Sequence, residues 1–211
     1  MVADRIHILG ASGSGTTTLG RALAARLGYD FFDTDAFYWE PSEPPFSRKR
    51  EVAARLALLE PALDRSPRWV LSGSLCSWGD SLLPRFEQVV FLSLDDAVRL
   101  ARLLERERVR YTAARIAPGG DRYEQHTAFM AWASLYESGD ARGRSRWMHE
   151  AWLKRLPPAC AVTRLDSAAP VAARRQVHRP DAQPRPARVR RVTTTTPPAA
   201  GSLRGWCHRV S

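Results

Sequence analysis

The sequence predicts an α/β domain built on an open, parallel five-stranded sheet with crossover helices. Three observations lead there. Over residues 1–170, short apolar runs ending in small or acidic residues alternate with helical patterns. The runs are mostly apolar, as strands covered on both faces tend to be. A glycine-rich turn joins the first run directly to the first helical pattern.

The elements follow in order. Arg5–Leu9 is the first strand, and Leu19, Leu23 and Leu27 then repeat at helical spacing until Gly28 supplies a stop. Phe31–Asp33 is the second strand, and Val52, Leu56, Leu59 and Leu63 mark the second helix. Trp69–Leu71 and Gln88–Leu94 are strands three and four, Val98–Tyr111 is a strongly basic third helix, and Ala161–Leu165 is the fifth strand.

Composition sets the frame. The 211 residues are 44% hydrophobic and 26% charged, enough for one full core and unlike a fibrous or wholly disordered chain. The apolar stretches fall far short of the roughly 20 residues that cross a bilayer, and the N-terminus has no basic region followed by an apolar segment. The expectation is a cytoplasmic protein without a membrane partner, monomeric or homodimeric. Cys76, Cys160 and Cys207 are too few and too scattered for a disulfide framework, and no Cys or His pair has zinc-ligand spacing. They read as small buried residues.

The formal charge of +10 sits mostly in residues 171–211, where nine arginines face one acid, Asp181. That stretch also holds five of the fifteen prolines and the run Thr193–Thr196, without apolar periodicity. It is expected to be a disordered basic tail, distinct from the domain at 1–170. Its charge supports only nonspecific, salt-sensitive attraction to nucleic acid.

Gly10-Ala11-Ser12-Gly13-Ser14-Gly15-Thr16-Thr17-Thr18, between strand one and helix one, is the most informative segment. Phosphate binding needs successive N–H groups aimed into one concavity, glycines where side chains would block them, and a helix N-terminus facing the anion. All three are met, so Gly10, Ser12, Gly13, Ser14, Gly15, Thr16, Thr17 and Thr18 are the expected binders of ATP or GTP. Thr17 occupies the Ser/Thr position of the G-x-x-x-x-G-K-[ST] pattern and would ligand Mg²⁺; Thr16 stands where the lysine belongs. The bland alternative is a flexible strand-to-helix turn.

Asp33 and Asp35 close the second strand, at the sheet edge where ligands bind. They point to one side if the chain stays extended, one serving Mg²⁺ (Asp33) and the other an acceptor hydroxyl. Asp35 also reads as a helix cap, and the neighbouring Tyr38 and Trp39 also read as ordinary packing.

By these residues the chain resembles the small bacterial P-loop kinases of the adenylate kinase and shikimate kinase type, with their uncharacterised AAA-ATPase and topology-modulation relatives. The resemblance covers about residues 4–168. It rests on Gly10–Thr17, on FFDTD at 31–35, on VLSGS at 70–74 and on RLLERERVR at 102–110. It implies a three-layer sandwich with strand order 2-3-1-4-5, an ATP site on the loop, an acceptor pocket above strands two and three, and a helical lid over about 111–147. Two departures stand out: Thr16 replaces the lysine, and Ser72-Gly73 stands where many members have Asp-Gly.

The arginines fit a lid because fixed guanidiniums stabilise a transferring phosphoryl group. Arg99, Arg102, Arg106 and Arg110 share one helical face, with Leu100, Leu103, Leu104 and Val109 directed elsewhere and Glu105 and Glu107 placed to pair with arginines. Arg142, Arg144 and Arg146 form a second group. Arg106, Arg110 and Arg144 are the catalytic candidates beside Asp33 and Asp35, and Lys49, Arg106 or Arg144 would replace the missing lysine. A solvated basic face is the alternative. The reading is a kinase acting on a small-molecule or nucleotide acceptor, with a nucleotide-binding regulator or weak NTPase as the second possibility.

Overall fold

The computed structural model describes residues 2–139 and 144–168, so Arg142 and the basic tail at 171–211 lie outside the described residues. Strands β1 (Arg5–Gly10), β2 (Asp30–Asp33), β3 (Trp69–Ser72), β4 (Gln88–Ser93) and β5 (Ala161–Asp166) pair in parallel in the order β2-β3-β1-β4-β5. Class and order are as expected, and each strand end lies within one residue of its sequence-based position.

Helices α1 (Thr16–Leu27), α2 (Thr34–Tyr38), α3 (Val52–Asp64), α4 (Asp96–Tyr111), α5 (Ala113–Ile116), α6 (Tyr123–Ser134) and α7 (Arg146–Leu153) connect them, with a 3₁₀ turn at Asp80–Arg85. Among the described residues no helix is long and apolar enough to cross a membrane.

Alternation along the strands divides the core in two. Ile6, Ile8, Val70, Val90 and Leu92 face one side, where Leu19, Leu23 and Ala24 of α1 cover them. Leu9, Trp69, Leu71, Val89 and Phe91 face the other, against Leu59 and Leu63 of α3 and Trp152 and Leu153 of α7. The central strands therefore show no polar face to water, which is why they read as continuous apolar runs. Gly28 ends α1 with φ 68°, and its N–H bonds the Ala24 carbonyl. Cys76 and Cys160 are buried and free.

His7 is the exception within β1. It is fully buried, its Nδ1 lies 3.1 Å from the Leu71 carbonyl, and its ring stacks on Phe86 at 4.9 Å. Burial lowers its pKa to about 4, so at neutral pH it is an uncharged packing ring.

Helix α4 corrects one expectation. It begins at Asp96, capped by Asp95, whose side chain accepts from the Val98 N–H. Its buried stripe is Arg99, Leu103 and Glu107, four residues apart, while Val109 is 77% exposed. Arg99 therefore leaves the solvent-facing arginine row of Arg102, Arg106 and Arg110. Among the described residues no arginine pairs with Glu107; its carboxylate lies inside, 3.8 Å from His126 of α6. A helical stripe sums what the neighbouring elements cover, and here α6 and the glycine loop after β1 cover a face whose residues are partly charged.

Candidate functional site

The loop between β1 and α1 sits at the carboxyl end of the central strand. Gly13 and Gly15 have φ of 86° and 93°, a region open to glycine at little cost, and these turns direct successive N–H groups to one side. A Cβ on Gly10 would meet the Leu92 carbonyl at 2.6 Å. Helix α1 has neither a side-chain cap nor an acidic residue in its first turn, so the N–H groups of Thr16, Thr17 and Thr18 are left for an anion. Ser14 is fully buried, its hydroxyl without a hydrogen-bond partner among the described residues and directed toward Gly10, beneath the loop.

Thr17 and Asp33 meet directly: the Thr17 hydroxyl donates to Asp33 Oδ2 at 2.9 Å. The other oxygen, Oδ1, accepts the Asp35 N–H at 3.1 Å, making Asp33 the N-cap of α2. Two expectations are corrected here. The chain does not stay extended through Asp35, because the cap turns it into a helix at Thr34. The capping carboxylate is Asp33, since only its side chain lies before the first free N–H groups of α2. Together Thr17 and Asp33 form a hydroxyl–carboxylate pair of the hard-oxygen type that Mg²⁺ takes, beside the anion-seeking amides.

Asp35 remains open to solvent at the mouth of the site. Its carboxyl is held above the ordinary value of 3.8, first by partial desolvation and then by the Asp33 charge, against the pull of Arg144 and Arg106. The structure thus brings Asp33, Asp35, Arg106 and Arg144 into one electrostatic neighbourhood. A folded-state pKa above the unfolded value means that ionised Asp35 costs stability at neutral pH. Asp35→Asn is therefore expected to raise the melting temperature at pH 7. The gain should shrink as pH falls through the folded-state pKa and vanish near 3.8, as calorimetry across that range will show.

The lid candidates lie against aromatic rings. Arg106 sits 5.7 Å from the Phe129 ring, Arg144 5.5 Å from Trp132, and Arg110 4.8 Å from Phe46. Lys49 is exposed, its backbone bridged to Trp39. Partial desolvation by its neighbours and then the like charge of Arg110 lower the Arg106 pKa, a pair of cations that an anion would relieve.

Sequence reasoning missed several residues. Arg99 is 1% exposed and its guanidinium bonds Asp96, the Ser12 carbonyl at 3.2 Å and the Ala133 carbonyl at 2.7 Å. It ties the phosphate loop to α4 and α6. The spacing Arg99-Leu103-Glu107 was the available signal. Gly73, φ 110°, packs so closely on Thr34 that a Cβ would lie 1.8 Å from its hydroxyl, so the turn after β3 abuts the Asp33–Asp35 segment. A cleft of about 310 Å³ at the ends of β4 and β5 is lined by Ser93, Asp95, Asp96, Glu137, Arg146 and Asp166. Its carboxylates already serve the fold: Asp95 caps α4, Asp96 pairs with Arg99, Glu137 pairs with Arg146, and Asp166 accepts the Ala168 N–H.

A family model described as an AAA domain matches residues 6–124. An uncharacterised protein of Bacillus subtilis, YqaC, is 45% identical over 161 residues, covering 76% of this chain and 87% of that protein. A shikimate kinase of Nitratidesulfovibrio vulgaris is 62% identical over 32 residues, only 15% of this chain and 18% of that enzyme. Among solved structures, shikimate kinase from Aquifex aeolicus is similar at 17% identity and a TM-score of 0.46, covering 82% of this chain and 92% of the other. With a 2-3-1-4-5 parallel sheet and a glycine loop leading into α1, the chain belongs to the AAA domain family.

Proposed function

We propose that this protein is an ATP-dependent kinase that transfers the γ-phosphoryl group to a hydroxyl or phosphate of a small molecule or nucleotide. The observation that carries the reading is the contact of Thr17 with Asp33, next to Asp35 and within the reach of Arg106 and Arg144. The loop amides and the α1 N-terminus hold the nucleotide phosphates. Bound Mg²⁺ would supply charge neutralisation of those phosphates, and Thr17 and Asp33 are the residues to hold it. Asp35 orients the acceptor hydroxyl and takes its proton, a role its raised pKa favours. Arg106 and Arg144 offset phosphate charge in place of the lysine absent at Thr16.

One observation favours a second reading. Threonine at position 16 removes the group that reaches the β- and γ-phosphates in related kinases, as a nucleotide-binding regulator or weak NTPase would tolerate.

Nucleotide binding is tested by thermal shift with Mg²⁺ and either ATP or GTP. A ligand at 100 times its Kd adds about 2.7 kcal/mol, a rise of roughly 5–10 °C for a domain of this size. Gly15→Val is expected to abolish the rise, because a β-branched residue is strained at φ 93° and its side chain fills the phosphate concavity. No shift with either nucleotide at millimolar concentration would remove the phosphate-loop reading. ADP release against a panel of nucleosides, nucleotides and metabolite alcohols then identifies the acceptor.

A further inference from the structure

Three side chains far apart in the sequence meet in a buried row behind the site. The Ser74 hydroxyl lies 3.0 Å from Nε2 of His149 in α7, and Nδ1 of His149 lies 2.8 Å from the Tyr136 hydroxyl. Ser74 and Tyr136 are each 4% exposed and His149 is fully buried. Phe91 of β4 seats the imidazole edge-on at 5.9 Å. Burial and the charge of Arg144 bring the His149 pKa down to about 3, so the ring is neutral. A neutral imidazole has one N–H and one lone pair, and it therefore gives one of these hydrogen bonds and accepts the other.

The row matters for where its ends lead. Beyond Tyr136, the Arg99 guanidinium sits 5.4 Å from the phenol ring and donates to the Ser12 carbonyl of the phosphate loop. Beyond Ser74, its own carbonyl accepts from Trp78 Nε1 at 3.1 Å, and the adjoining Gly73 abuts Thr34, between the two site carboxylates. One end thus rests on the loop for the nucleotide and the other on the turn that backs Asp33 and Asp35. Three apolar side chains would fill the same space without the cost of burying polar groups. The polar row instead gives each loop one defined position relative to the other.

We propose that Tyr136 and His149 are positioning residues, which through Ser74 hold the 73–78 turn in register with the phosphate loop. Tyr136 lies two residues past the end of α6 and its N–H bonds the Ala133 carbonyl, so the C-terminal end of that helix shares the register. The kinase reading supplies what the 73–78 turn receives; the mechanical link between the two loops does not depend on it.

Cys76 lies in that turn, 9% exposed, and is a native probe of its opening; Cys160, 8% exposed beside β5, is the control. Alkylation by iodoacetamide in the full-length protein, resolved by peptide mass, reads both. Tyr136→Phe removes one oxygen and keeps the volume. It is expected to raise the Cys76 rate at least tenfold and leave Cys160 within about twofold. His149→Phe should do the same, and His149→Gln, whose amide can both give and accept, should recover part of the protection. With Mg²⁺ and a non-hydrolysable ATP analogue, wild-type Cys76 should slow several-fold. In Tyr136→Phe that response should disappear while the analogue still raises the melting temperature.

An unchanged Cys76 rate in Tyr136→Phe and His149→Phe overturns the proposal, as does a parallel rise at Cys160, which marks general loosening. If Cys76 opens selectively in the variants but the analogue gives no thermal shift in the wild type, the link stands and the kinase reading falls.

Discussion

Replacing Arg106 or Arg144 by alanine is expected to lower phosphoryl transfer by about 10²–10³-fold, with the Kd for ATP in the open protein changed by less than about threefold. The combined variant should fall further. The reason lies in how these cations are carried. Arg106 of α4 and Arg144 before α7 each lie over a ring of α6, Phe129 and Trp132, and both act on Asp35, so closure of a lid built on α6 would change how their charge meets an anion at the loop. A contact made chiefly in the closed, reacting state stabilises the transition state more than the bound ground state, and its loss appears in turnover. Coupled measurement of ADP release and of analogue binding separates the two effects. Wild-type turnover in the single and combined variants, together with a rise in basal hydrolysis in Thr16→Lys, would instead select the nucleotide-binding regulator.

Arg99→Ala is expected to cost about 3 kcal/mol or more of folding stability, read by urea unfolding, and to weaken nucleotide binding as well. The guanidinium is 1% exposed and serves Asp96 and two carbonyls at once. Its removal leaves the Ser12 and Ala133 carbonyls without that donor and opens space beside Gly13, whose flank packs on the Arg99 stem and Leu103. Asp96 is partly exposed, so water takes over some of its share, and the larger part of the loss comes from the two carbonyls. Arg99→Lys should not restore the wild-type value, because one ammonium group cannot span acceptors on three separate elements. A loss below about 1 kcal/mol would show that the loop is held by its glycines and the sheet alone.

The amino-acid pattern alone was enough to place the sheet, the glycine loop and the first helix. The information for these is local. Strands buried on both faces are mostly apolar along their length, Gly13 and Gly15 are needed where the backbone turns left-handed, and Gly28 closes a helix whose leucines repeat at helical spacing. Thr17 and Asp33 were legible for the same reason, each lying at the end of a recognisable element. The exit from β2 was less so. Whether the chain stays extended through Asp35 depends on which carboxylate finds free N–H groups, and Asp33, one residue before the helix, reaches the Asp35 N–H.

Which charges lie inside follows from how the elements pack against one another. Arg99 and Arg106 look alike along the helix, yet one is a buried brace and the other an exposed cation, because the phosphate loop and α6 happen to cover one side of α4. Ser74, Tyr136 and His149 carry no shared motif: 75 residues separate Ser74 from His149 and 13 separate Tyr136 from His149. A lone histidine in α7 gives no sign of its partners. Backbone geometry and periodicity are written within a window of a few residues, whereas the partner of a buried polar side chain is fixed only when separate crossovers bring their elements together.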